Sequence, residues 1–187
     1  MISDALDYIR VELRDYLSIA DAEISVGHLH NLVNHETSPG LRIGLVNVSE
    51  EATLRNLPHS QRSPGGQVEY QQPPVHLNCF VMFAFDFGTY QTDLIRLSQS
   101  IEMFQAKRYW DSTNQRAENP FPANLDRLLF ELNSTDFEQL NHLWGILGGT
   151  YFPSVLYKMR LIKVQADEQQ EGPEITSIEV NTEVKVS

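Results

Sequence analysis

The chain has 187 residues, of which 41% are apolar and 21% charged, and these values fit one globular domain with room for a short tail. Its net charge of -11 argues against sequence-independent nucleic-acid binding, which depends on Lys and Arg neutralising phosphates, and against anionic membrane surfaces. An acidic surface suits a partner with a basic face. The first residues, MISDALDYIR, lack the basic and apolar regions of a secretory signal, so none is expected.

A helix and a strand are predicted at the start of the chain. Residues 3–20 have helical spacing with Ser3 as the N-cap, and the solvent side is expected to carry Asp4, Asp7, Glu12 and Asp15. The expected apolar face consists of Ala5, Leu6, Ile9, Leu13, Tyr16, Leu17 and Ala20. The stretch LRIGLVNVSEE then predicts a strand with one apolar face, formed by Leu41, Ile43 and Leu45.

The middle of the chain predicts a long loop followed by a strand. Residues 55–74, RNLPHSQRSPGGQVEYQQPP, show no periodicity and predict a loop that can be pinched into a small hairpin. A loop of this length in a compact domain is usually functional or disordered. The stretch VHLNCFVMFAFDF predicts a strand covered on both faces, because its odd positions are apolar and its even ones mixed. It contains Cys79, the single cysteine, which we expect to be a small buried hydrophobe and which is consistent with a reducing compartment.

A second helix and another strand follow. Residues 90–107 predict a helix whose apolar stripe repeats at steps of four and three, namely Tyr90, Leu94, Leu97, Ile101 and Phe104. The stretch LDRLLFELN predicts a strand that alternates, with one face formed by Leu128, Phe130 and Leu132.

The stretch NHLWGILGGTYFPSVLYKMRLI contains fifteen consecutive residues without charge and allows a ligand cradle, a membrane-seeking segment, or a helix that stops before a strand. A membrane span needs about 20 mostly apolar residues, whereas Gly148, Gly149 and Pro153 interrupt this run. Thr135 and Glu138 form a predicted capping box, and Gly148-Gly149 suits a helix C-terminus. The expected helix face consists of Phe137, Leu140, Trp144 and Leu147. The sequence therefore predicts helix, stop, strand.

The motifs of the chain do not assemble a catalytic site. His28, His30, His35 and Glu36 lie close together, but no cysteine and no second ligand pair completes a metal site, so neither a metal nor a cofactor is expected. His142, beside Trp144, could act as a base with a carboxylate, although a surface or packed histidine fits better. Ser154 lacks the glycines of a nucleophile elbow. We therefore expect the protein not to be an enzyme.

Four blocks carry a resemblance to a known family. They are ISDALDYIRVEL, LVNVSEEATLRN, PPVHLNCFVMFA with LIRLSQSIEMFQ, and LLFELNSTDFEQLNHLWGILGGTYFPSVLYKMRLI, the last being the most specific. Over residues 2–164 the chain resembles the N-terminal domain of the Pvc16 family, whose members cap the tail of phage-like extracellular contractile injection systems. The resemblance implies a mixed α/β sheet flanked by helices, as in the terminator proteins of long-tailed phages.

The same resemblance implies a structural cap that assembles in the cytoplasm. Such proteins form a six-fold ring on the distal end of the inner tube, stop tube and sheath growth, and hold the last sheath ring. The implied partners are further copies of the chain, the inner tube protein and the sheath protein. The alternatives are a small-molecule-binding or hydrolytic α/β domain, which a polar pocket near His142 or His28 would favour, and a transient tube-assembly chaperone.

The domain division places the cap in residues 1–165 and an acidic linker with a C-terminal arm in residues 166–187. The strand-like end, EITSIEVNTEVKVS, can add a strand to a neighbouring sheath subunit or fold back as an edge strand of its own sheet. The expected interface residues lie in the long loop and in this arm, at Arg55, Asn56, Arg62, Ile175, Ile178 and Val180.

Overall fold

The computed structural model describes residues 1–30, 38–51, 60–62, 68–70, 76–147, 149–162 and 170–171. The helices are α1 (Ile2–Leu17), α2 (Tyr90–Ala106) and α3 (Phe137–Ile146), with a 3₁₀ helix at Asp21–Glu23. The strands are β1 (Ile24–Val26), β2 (Gly40–Glu50), β3 (Ser60–Arg62), β4 (Val68–Tyr70), β5 (Leu77–Asp86), β6 (Tyr109–Asp111), β7 (Arg127–Leu132), β8 (Ser154–Ile162) and β9 (Gln170–Glu171).

The long strands form a six-stranded sheet with the order β1-β2-β5-β8-β7-β6. Its neighbours pair antiparallel, except that β1 runs parallel to β2. The short strands form a second, antiparallel sheet with the order β3-β4-β9, in which the β3–β4 pair is the hairpin allowed by the sequence. The expected mixed α/β architecture is confirmed. Strand β9 lies in the predicted linker, and the division at residue 165 stays a prediction.

Strand β5 is covered on both faces, as its sequence predicted. Its odd-numbered side chains, including Phe83 and Phe85, lie in the larger apolar core with α1 and α2. Its even-numbered Met82 and Ala84 lie in a smaller cluster with Trp144 of α3. The sheet therefore separates α1 and α2 from α3.

Helix α1 buries most of its predicted apolar face but differs at several positions. The N-cap is Met1 rather than Ser3, and the helix ends at Leu17, where Ser18 adopts a left-handed conformation with φ of 52°. Tyr16 is exposed, although its spacing placed it on the apolar face. Glu12, expected on the solvent side, is only 6% exposed.

The burial of Glu12 is explained by hydrogen bonds from residues distant in sequence. Its Oε1 accepts from Arg116 Nε at 2.8 Å and from Asn119 Nδ2 at 2.9 Å. Its Oε2 accepts from Trp110 Nε1 at 3.2 Å. Since a buried carboxylate is tolerated when it is paired and hydrogen-bonded, this cluster fastens α1 to β6 and to the segment that follows it.

Helix α2 is rotated relative to the predicted stripe. Tyr90 and Leu94 are exposed, whereas the buried residues are Asp93, Ser100, Met103 and Phe104. Asp93 faces inward because its Oδ1 accepts a hydrogen bond of 2.6 Å from the backbone N–H of Phe87. With Asp93 facing inward, Tyr90 and Leu94 face the solvent at the start of the helix. The predicted apolar stripe is therefore correct only near the end of the helix, at Phe104.

The helix-stop-strand interpretation of residues 137–162 is confirmed. Gly149 has φ of 81°, and its N–H donates to the carbonyl oxygen of Trp144 at 2.8 Å. The N-cap is Asp136 rather than Thr135, because the Asp136 carboxylate accepts from the Gln139 N–H at 2.7 Å. Phe137 is 92% exposed and does not line the buried face, while Trp144 is 4% exposed. Gly148 lies outside the described residues.

Two predicted strand faces end earlier than expected. In β2, Leu41 and Ile43 are buried but Leu45 is exposed, and just after Leu45 the pairing with β5 shifts register, between Leu45 and Asn47. Such a bulge redirects the side chains that follow it. In β7, Leu128 and Phe130 are buried and Leu132 is exposed.

We expect Trp144→Ala to lower the free energy of unfolding by about 3–5 kcal/mol, as for large aromatic truncations in cores. The indole anchors α3 through contacts with Tyr151 and Phe152, each at a ring-centroid distance of 5.9 Å. Urea denaturation gives the measurement. Phe137→Ala on the same helix is the matched control and should change the value by less than about 0.5 kcal/mol. Equal losses from both variants would contradict the packing of α3.

We expect Glu12→Ala to lower the free energy of unfolding by about 1–3 kcal/mol, because the buried Trp110 and Asn119 donors lose their carboxylate acceptor. The same urea titration measures the effect. Glu102→Ala on the exposed side of α2 is the control, with an expected change below about 0.5 kcal/mol. An unchanged denaturation midpoint for Glu12→Ala would show that the cluster does not hold α1 in place.

Candidate functional site

Of the six interface residues expected from the sequence, the structure describes one, Arg62. Five of them, Arg55, Asn56, Ile175, Ile178 and Val180, lie outside the described residues. Arg62 is the last residue of β3 in the small hairpin. Their participation in an interface stays a prediction.

An apolar groove of about 530 Å³ lies where β1 and β2 meet α3. Its walls include Val26, Leu29, Leu45, Val46, Leu143 and Ile146. None of its lining residues in the described part of the chain is Asp, Glu, Lys or Arg. We refer to this surface as the groove.

The floor of the groove depends on a glycine in β2. A Cβ atom built on Gly44 would lie 2.5 Å from Leu29 Cγ, so only glycine allows Leu29 to pack against the strand at this point. Leu29 is thereby buried in the cluster that contains Trp144. Leu45, which pairs with Val81, and Val46, which lies at the register shift, are both exposed along the rim.

Helix α3 contacts the sheet over a narrow area. The groove lies on one side of it, and a second cleft of about 460 Å³, lined partly by Asn47, Asn133 and Gln139, lies on the other. Trp144 is the buried residue of the helix, whereas Ile146 is 87% exposed. Helix α3 therefore has more apolar side chains than its contact with the sheet buries.

The histidine-rich segment contributes two residues to the groove, His28 and His30. The Nδ1 atom of His30 lies 3.3 Å from the carbonyl oxygen of Leu147, while His35 and Glu36 are outside the described residues. Within the described ranges, no three His, Cys, Asp or Glu side chains are grouped as metal ligands would be. The described lining of the groove is mainly aliphatic, and His28 and His30 are its ionisable side chains.

The remaining candidate nucleophile and base occupy ordinary structural positions. Cys79 is fully buried, and this burial raises the pKa of its thiol to about 11, which opposes formation of the reactive thiolate. His142 is exposed on α3. Among the described helices, none has the length and apolar character needed to cross a bilayer.

A second apolar surface lies on the outer side of α2. It consists of Tyr90, Leu94 and Ile95, which are 65%, 41% and 50% exposed. We refer to these three side chains as the ridge. Because α2 packs on the core face of β5 opposite to α3, the ridge and the helix that borders the groove lie on opposite faces of the sheet.

Neither the groove nor the ridge was predicted from the sequence. A usable signal was present in α3, whose Phe137, Leu140, Leu143, Ile146 and Leu147 are too widely distributed around the helix for one buried face. For α2 no comparable signal is present, because Leu94 fits the predicted stripe.

Comparisons with known proteins agree on one relationship. The sequence matches the model of the Pvc16 N-terminal domain over residues 5–177. No curated protein matches the chain. Among solved structures, the PVC sheath/tube terminator of an extracellular contractile injection system, in the extended state, is similar with a TM-score of 0.63 and 17% identity, covering 100% of this chain and 65% of that one.

The tube-terminating cap of the anti-feeding prophage, AFP, is also similar, with a TM-score of 0.67 and 15% identity over 97% of this chain and 62% of that chain. The chain thus spans less than two thirds of the length of either solved protein. At these identities the similarity establishes a shared fold.

Proposed function

The chain belongs to the Pvc16 N-terminal domain family, and we propose that it is a structural cap of a contractile injection system. The observation that carries the proposal is that nearly the whole chain shares its fold with two tube terminators. We propose no catalytic role, since Cys79 is buried and the groove beside His28 is aliphatic.

In this proposal, six copies form a ring on the distal end of the inner tube. The ring ends the growth of tube and sheath, anchors the last sheath ring, and is assembled in the cytoplasm as part of the particle. Two features support an assembly role, namely the exposed apolar groove and the exposed ridge. Contiguous exposed apolar surface is a common property of protein–protein contact sites.

We further propose that residues 174–187 hold the sheath as an added strand. The small sheet supports this, because β9 pairs antiparallel with β4, aligning Gln170 with Tyr70 and Glu171 with Glu69. The chain therefore passes residue 171 as an edge strand of the small sheet and not as a strand of the six-stranded one. In β-augmentation, main-chain hydrogen bonds would supply affinity, and Ile175, Ile178 and Val180 would supply specificity.

Electron microscopy of purified particles tests the cap function. We expect particles that contain the chain to show cap density at one end, with the chain present in a fixed ratio to one tube ring. Deleting its gene should give tubes of irregular, increased length, because nothing ends polymerisation. A chain that is absent from finished particles, with tube lengths unchanged, would contradict the proposal and favour an enzyme or an assembly chaperone.

Deletion of residues 173–187 tests the arm. If the arm grips the sheath, the truncated protein should keep its melting temperature, while particles lose the cap or contract prematurely. The matched control is the full-length chain with Ile175, Ile178 and Val180 changed to Ser, which keeps the main-chain donors and acceptors and should weaken sheath retention less. A truncated protein that unfolds would assign the segment to the domain core, and the sheath would have to be held elsewhere.

A further inference from the structure

The groove is a concave apolar surface and the ridge is a projecting one, so the two can form the two sides of one contact. A closed ring of identical subunits needs two different surfaces on each copy, one to receive and one to insert. The structure provides an apolar groove bordered by α3, whose lining also includes Leu6 of α1, and an apolar ridge on α2; the helices α3 and α2 lie on opposite faces of the sheet. We propose that the ridge of one copy inserts into the groove of the next copy; this inference rests on the proposed cap function.

The charge of the chain favours a second copy as the occupant of the groove. Each copy carries a net charge of -11, so two copies repel one another unless their contact surfaces are uncharged. The groove meets this condition, because its described lining contains no Asp, Glu, Lys or Arg. The ridge meets it as well, since Tyr90, Leu94 and Ile95 are all uncharged. A basic surface on a tube or sheath protein would instead be matched by carboxylates, and the described lining of the groove contains none.

The shapes of the two surfaces also correspond. Tyr90 and Leu94 are one helical turn apart on α2, and Ile95 lies beside Leu94, so the ridge projects three large side chains from a single helix. The groove is bordered by a helix on one side and by the β2 rim on the other. Insertion of an apolar helix face into such a groove is a recurrent recognition mode. The contact would cover Leu45, Val46 and Ile146, which are exposed in the single subunit.

Site-directed crosslinking in assembled particles tests this arrangement. Chains carrying both Ile95→Cys and Ile146→Cys are incorporated into particles and treated with a short bis-maleimide. We expect a ladder of covalent species that extends from dimer to hexamer. Each single variant should remain monomeric, because a head-to-tail contact never brings two copies of the same position together. The native Cys79 is fully buried and does not compete for the reagent.

A control pair separates this contact from random collisions. Tyr16 on α1 is 49% exposed, close to the 50% of Ile95, so Tyr16→Cys with Ile146→Cys should give no ladder. A second pair, Leu94→Cys with Leu45→Cys, repeats the test with different geometry and should reproduce the ladder. Dimers from the single Ile146→Cys chain would overturn the proposal, because they would show a contact in which the groove faces itself.

A photoreactive probe identifies the occupant directly. Ile146→Cys is labelled with benzophenone maleimide, particles are irradiated, and the captured peptide is identified by mass spectrometry. The expected peptide contains residues 90–95 of this chain, whereas a tube or sheath peptide would overturn the proposal. If the chain caps the particle but the ladder is absent, the ring contact is wrong and the cap function stands. If the chain is absent from the particle, the cap function is wrong and the ring contact falls with it.

Discussion

The burial of β5 on both faces is the constraint on which the rest of the architecture depends. A strand with Phe83 and Phe85 on one face and Met82 and Ala84 on the other has to be covered twice. The chain meets this demand with α1 and α2 on one face and with α3 on the other. The six-stranded sheet is therefore the middle layer of the fold, and each face of the subunit presents a different helix to its surroundings.

The two faces are covered unequally, and this difference generates the exposed apolar surfaces. Helix α3 has 10 residues and anchors itself mainly through Trp144, so Ile146 remains outside and the groove stays open beside it. Helix α2 has 17 residues but turns Asp93 inward, which directs Leu94 and Ile95 to the solvent. In both helices a local anchoring contact determines which apolar side chains remain exposed.

Several arginine side chains form ion pairs with carboxylates of the same chain. Arg10 and Arg14 both lie within 3.1 Å of the carboxylate of Asp21, and Arg116 pairs with Glu12 and Asp15. These pairs connect α1 to the elements around it while the total charge stays at -11. On a chain this acidic, uncharged patches are the places where contact with another acidic surface is least opposed by repulsion.

The sequence by itself determined the features that local chemistry controls. The end of α3 follows from Gly149, which adopts a positive φ, and the coverage of β5 follows from its nearly continuous apolar run. Only the tertiary structure decided the burial of Glu12, whose hydrogen-bond donors are 98 to 107 residues away, and the assembly of the groove from α1, β1, β2 and α3. Periodicity shows which residues share a face, but the direction of that face depends on contacts between segments distant in sequence, and no local pattern encodes those contacts.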